Sequence, residues 1–90
     1  MVVQRTLKIV NKLGLHARAA AKLVKLASTF EATIDIVKDE QRVDSKSIMG
    51  VMMLAASCGS SVTLYAEGID AQAAVDAITD LIGRRFDEDE

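Results

Sequence analysis

The chain has 90 residues, half of them hydrophobic and 27% charged, with a formal net charge of −2. That length suits one compact domain spanning residues 1–90, and the composition is too apolar for a disordered chain. The single Cys excludes an intrachain disulfide, the single His argues against a zinc site, and three aromatics are poor equipment for stacking nucleic-acid bases.

Residues 2–10 alternate, with Leu7 and Ile9 apolar against Thr6 and Lys8, and predict a strand. This opening has no apolar signal core and no small-residue cleavage site, so a cytoplasmic location is expected. No uncharged apolar run reaches the roughly 18 residues that a membrane span requires. Residues 11–15 include Gly14, a turn or close-approach position. A helix fits residues 16–28, where Ala20, Leu23, Val24 and Ala27 form one buried stripe and Lys22 and Lys25 face outward.

Residues 32–38 alternate again, with Ile34 and Ile36 on one face. Residues 38–41 predict a hairpin turn into a short strand at 42–44. Ser47 is placed to cap a second helix over 48–57, with Gly59 ending it. That helix is unusually apolar, carrying Ile48, Met49, Val51, Met52, Met53 and Leu54. If one side packs inward, the other exposes large adaptable side chains suited to docking. Burial on both sides is hard to arrange in so small a domain. Cys58, at the end of this segment, reads as a packing residue rather than a nucleophile.

Residues 61–67 form another alternating strand, with Val62, Leu64 and Ala66 opposed to Thr63 and Tyr65. Asp70 is placed to cap a third helix with a stripe of Ala74, Ile78, Leu81 and Ile82. The acidic residues 87–90 are expected to fray. The order is βαββαβα. Short turns favour an antiparallel sheet with helices on one face, an α+β layer pair, although periodicity leaves the strand order open.

The net charge hides a polarity. Residues 1–50 carry nine Lys or Arg against five acids (+4), and residues 51–90 carry two against eight (−6). Residues 5–25 hold Arg5, Lys8, Lys12, Arg18, Lys22 and Lys25 and no acid. Such a field favours an acidic partner or a phosphate, with a merely solvated helix face as the plainer reading. Nucleic acid fits poorly with the acidic second half.

The stretch Leu13-Gly14-Leu15-His16-Ala17-Arg18-Ala19-Ala20 sets the one His where a loop becomes a helix. Free backbone N–H groups there favour an anion and disfavour an imidazolium, so a neutral, nucleophilic ring is expected. Arg18 offers a fork for two phosphoryl oxygens, and Gly14 would let backbone approach without a Cβ. These parts suit a ring nitrogen that accepts and releases a phosphoryl group. A lone His is also commonly an ordinary cap or surface residue. Nothing marks a Ser or Asp as partner for Ser-His-Asp catalysis. A small regulatory domain that senses an anionic metabolite at the same basic helix end is the competing class.

The segment GLHARAA closely resembles the active-site motif of the histidine-containing phosphocarrier family, HPr and its nitrogen-related paralogue NPr. Length, element order, the Ser47-Ile48-Met49-Gly50 segment and the Ala66-Glu67-Gly68 turn extend the resemblance over essentially the whole chain. It implies an open-faced β-sandwich, a four-stranded antiparallel sheet under three helices. It implies a monomeric carrier rather than a turnover enzyme, with no cofactor and no metal. His16 would take phosphate at Nδ1 from phosphorylated Enzyme I and pass it to a IIA domain of a sugar or nitrogen-type phosphotransferase system. Arg18 would balance the phosphoryl charge. Ala17, Ala20, Lys22, Lys25, Ile48, Met49 and Met52 would contact partners. In some members a Ser matching Ser47 is phosphorylated by HPr kinase/phosphorylase, which here would put negative charge beside the apolar docking surface. The chain departs from the family at Ala19, where Pro is usual.

Overall fold

Apolar residues at every second position of 33–38 and 61–67 build two central strands with one buried side, and two edge strands, only partly covered, flank them. The computed structural model describes residues 1–88, in the order β1 (Val2–Lys8), α1 (Ala17–Ala27), β2 (Thr33–Lys38), β3 (Gln41–Asp44), α2 (Ile48–Met53), β4 (Ser61–Glu67) and α3 (Ala71–Gly83). A tight turn at Arg85–Asp87 comes next. The sheet order is β1-β4-β2-β3 and every pairing is antiparallel. The strand order that periodicity left open is thus set by β4 entering the centre, with Leu64 opposite Arg5 on one side and Ile36 on the other.

Ile34, Ile36, Val62, Leu64 and Ala66 point to the covered face, against Leu23 and Ala27 of α1, Val51 of α2, and Ala74, Val75 and Ile78 of α3. The opposite face is open to solvent. It carries the Thr6–Thr63 hydroxyl pair at 3.0 Å and the Arg42 guanidinium 4.7 Å over the Tyr65 ring. The expected α+β open-faced sandwich is the observed architecture.

Several local expectations change. The second helix runs only over Ile48–Met53, not 48–57, with Leu54 as its C-cap. Leu15 N–H donates to the Ala56 carbonyl at 2.9 Å, and Lys38 Nζ donates to the Leu54 carbonyl at 3.3 Å. These outside donors satisfy two carbonyls beyond the end of α2 that have no partner within the helix. Ala55 turns the chain with a φ of 49°. Cys58 therefore lies in a loop and is exposed, not packed. Asp70 is the N-cap residue of α3 but makes no side-chain cap bond. Its carboxylate instead accepts from the N–H groups of Glu31 (2.9 Å) and Ala32 (2.8 Å), tying α3 to the start of β2. These donors hold the carboxyl below its ordinary range.

Of the segment expected to fray, Asp87 lies in the turn after α3 and Glu88 follows it, while Asp89 and Glu90 lie outside the described residues. Phe86 is fully buried, and Arg85, Phe86 and Asp87 all have left-handed φ values of 59°, 55° and 60°. This turn reverses the chain after α3 and brings Phe86 and Glu88 back against α1 and its N-cap.

Candidate functional site

His16 is the N-cap of α1, as the sequence indicates. Ala20 is the first residue whose N–H closes the helical ladder, donating to the His16 carbonyl at 2.8 Å. The N–H groups of the first turn therefore face out of the helix end. The Arg18 N–H donates to His16 Nδ1 at 3.3 Å, a long bond.

Gly14 positions this helix end, but not in the way the sequence suggests. Its φ is 67°, and a Cβ there would fall 2.4 Å from the Ala56 carbonyl oxygen and 2.8 Å from Ser57 Cα. The close approach is to the loop after α2, not to a ligand. It locks the start of α1 against the end of α2.

The other ring nitrogen meets a residue that sequence reasoning assigned to a frayed tail. His16 Nε2 lies 2.5 Å from Glu88 Oε2. Glu88 Oε1 accepts from Asn11 Nδ2 at 2.9 Å, and the same amide donates to the Gly14 carbonyl at 2.8 Å. Both Asn11 partners are acceptors, so its NH2 must face them. Asn11 is fully buried, and its Oδ1 has no partner among the described residues. The Asn11 amide foremost, then the His16 ring and the Lys22 charge, hold the Glu88 carboxyl below its ordinary range.

These neighbours define the tautomer. An ionised carboxylate only accepts, so Nε2 carries the hydrogen. A backbone N–H only donates, so Nδ1 presents its lone pair toward the helix end. The expectation of a neutral ring rested on the helix end alone; the carboxylate on the opposite nitrogen is an additional electrostatic partner.

Arg18 is exposed, and its guanidinium makes no hydrogen bond or ion pair among the described residues, leaving the fork open to an anion. Ala17 and Lys25 are exposed on α1. Two expected contact residues need correction. Ala20 is fully buried against the core and offers no surface to a partner. Lys22 does not point freely outward, because its Nζ donates to the Phe86 carbonyl at 2.5 Å.

On α2, Ile48, Met49 and Met52 are exposed, and Met53 joins them at 65%. Leu13, at 67%, adds an apolar residue from the loop before His16. Ser47 caps α2, its Oγ accepting from the Gly50 N–H at 3.1 Å. It stands at the end of α2 away from the Leu15–Ala56 bond, roughly 9 Å along a six-residue helix.

The family described as PTS HPr component phosphorylation site matches residues 3–84. The chain is 54% identical over 89 residues to phosphocarrier protein HPr of Cupriavidus necator, covering 99% of this chain and 100% of that protein. It is 49% identical over 86 residues to phosphocarrier protein NPr of Shewanella violacea, covering 96% of this chain and 94% of that protein. The crystal structure of HPr-C-His from Thermoanaerobacter tengcongensis superposes with a TM-score of 0.94 at 46% identity, covering 98% of this chain and 99% of that one. With a histidine at the helix end and this likeness over nearly its full length, the chain belongs to the HPr family of phosphotransferase-system phosphocarriers.

Proposed function

We propose that His16 accepts a phosphoryl group at Nδ1 from phosphorylated Enzyme I and passes it to a IIA domain. The observation that carries this reading is the orientation of the ring. Nε2 is engaged by Glu88, and Nδ1 faces the first-turn amides and lies two residues from the unengaged Arg18 fork. An incoming phosphoryl group meets the positive end of α1, and Arg18 neutralises part of its charge. The Arg18 N–H, held only at 3.3 Å by Nδ1, is free to turn to a phosphoryl oxygen. The P–N bond is labile, so transfer in either direction needs positioning more than further chemistry.

Partners dock across the two helices beside His16. Ala17 and Lys25 of α1, with Ile48, Met49 and Met52 of α2, supply the contact, and Met53 and Leu13 extend it. The apolar side chains bury, while Lys25 and Arg18 steer acidic partner surfaces. Ser47 precedes Ile48 and Met49 directly, so a phosphate on its hydroxyl places roughly two negative charges at the rim of this surface. Such a phosphate, added by HPr kinase/phosphorylase, weakens docking of Enzyme I without touching the ring.

Incubation with phosphoenolpyruvate and Enzyme I tests the carrier reading. An acid-labile, base-stable phosphate that His16→Gln abolishes supports it. Reversible binding of an anionic metabolite, with no covalent mark, would establish the sensing alternative instead.

A further inference from the structure

The side chain of Glu88 lies against the His16 ring across 72 positions of sequence. It is held there from three directions. Asn11, fully buried, donates to its second oxygen at 2.9 Å. Lys22 holds the preceding turn through the Phe86 carbonyl. The Phe86 side chain is buried in the core. The turn itself is costly: three consecutive residues without glycine sit in the left-handed region. Its energetic cost is offset by contacts that bring one carboxylate to one ring nitrogen.

We infer that Glu88 is a positioning residue for phosphoryl transfer, fixing the His16 tautomer and pairing with the ring as it becomes cationic. This rests on the carrier reading above and deepens it. With the hydrogen kept on Nε2, the Nδ1 lone pair attacks phosphorus. The new N–P bond forms as the P–N bond of the donor phosphohistidine breaks, and the donor ring leaves with that electron pair. No proton moves at His16. The product is a phosphorylated ring bearing Nε2–H and a positive charge, with the Glu88 carboxylate beside it as counter-ion. Onward transfer reverses the same step. Because Nε2–H is retained, the ring departs as neutral imidazole rather than as imidazolate, a much poorer leaving group. Asn11 aims the carboxylate, as the orienting group of a histidine dyad does.

Two variants separate the charge from the hydrogen bond. Glu88→Ala removes both acceptor and charge. Glu88→Gln keeps an acceptor for Nε2–H and removes the charge. Ring 15N shifts of His16, read on the unphosphorylated protein at about pH 9, above the ordinary histidine range, report the tautomer without Enzyme I. The wild type is expected to show Nε2–H. Glu88→Ala is expected to weaken that preference, leaving only the long Arg18 N–H bond to Nδ1 and the ring's own bias behind it, and Glu88→Gln to restore it. Phosphorylation rates by Enzyme I are expected to fall about ten- to a hundredfold in Glu88→Ala, as for loss of a hydrogen bond to a charged group, and by a smaller factor in Glu88→Gln, which loses only the charge. Unchanged 15N shifts in Glu88→Ala, or wild-type transfer rates in both variants, would overturn the role of Glu88. A wild-type protein that takes no phosphate would instead overturn the carrier reading, and the 15N result would stand apart from it.

Discussion

Gly14→Ala is a sharp probe of how the site is held. The added Cβ would sit 2.4 Å from the Ala56 carbonyl oxygen and 2.8 Å from Ser57 Cα, both backbone atoms that cannot swing aside. The residue would also keep a φ near 67°. An alanine in the left-handed region costs about 1–2 kcal/mol. Relieving the clash means moving the α1 start from the α2 loop, which loses the 2.9 Å Leu15–Ala56 bond, a further ~1 kcal/mol. The expected loss is thus about 2–3 kcal/mol. For a domain of this size it corresponds to a fall in Tm of about 10–20 °C. Urea denaturation with an unchanged m-value measures it. A loss under about 1 kcal/mol would show that the loop after α2 does not clamp the start of α1.

Phe86→Ala should cost about 3–5 kcal/mol if the C-terminal turn unfolds with the core, and should also broaden the His16 ring signals as Glu88 is released. Removing the Ser47 cap with Ser47→Ala should cost about 1 kcal/mol in a thermal melt. Ser47→Asp should slow phosphorylation by Enzyme I several-fold with His16 intact, and an unchanged rate would remove the proposed electrostatic switch. The Glu88 carboxyl is depressed in the folded chain, so its contribution is fully present above the ordinary value of 4.5 and is lost as pH falls through the lower folded value. The stability difference between wild type and Glu88→Gln should therefore shrink on acidification from neutral pH, and a difference that grows would reverse that sign.

Much of the fold was legible because its signals are local. The period-2 runs at 61–67 and 32–38 place Val62, Leu64, Ile34 and Ile36 in the core, and Ser47 does cap α2. What escaped was decided by distant partners. The Ala55-Ala56 pair favours helix, yet α2 stops at Met53 and the chain turns at Ala55 with a φ of 49°, where the following segment is tied by the Ala56 carbonyl to the N–H of Leu15, some forty residues earlier. Asp70 looks like a cap, but the Glu31 and Ala32 amides offer its carboxylate better partners.

At the site, His16 and Arg18 stand out by their position at a basic helix start. Glu88 does not, since an acidic chain end has the composition of a solvated tail. The one signal in that segment was Phe86: a large apolar residue amid charges anchors the chain, and the residues just after an anchor are held near the core. The same contact explains Lys22, whose outward spacing on α1 cannot reveal a carbonyl 64 positions away.

The proposed function comes down to one nitrogen of one residue carrying the phosphoryl group. Phosphorylation with Enzyme I and phosphoenolpyruvate, followed by 15N and 31P NMR of the modified ring, reads out that nitrogen. A single phosphate on His16 Nδ1, with the hydrogen on Nε2, is the outcome expected. Phosphate on Nε2, on another residue, or absent altogether would refute the assignment.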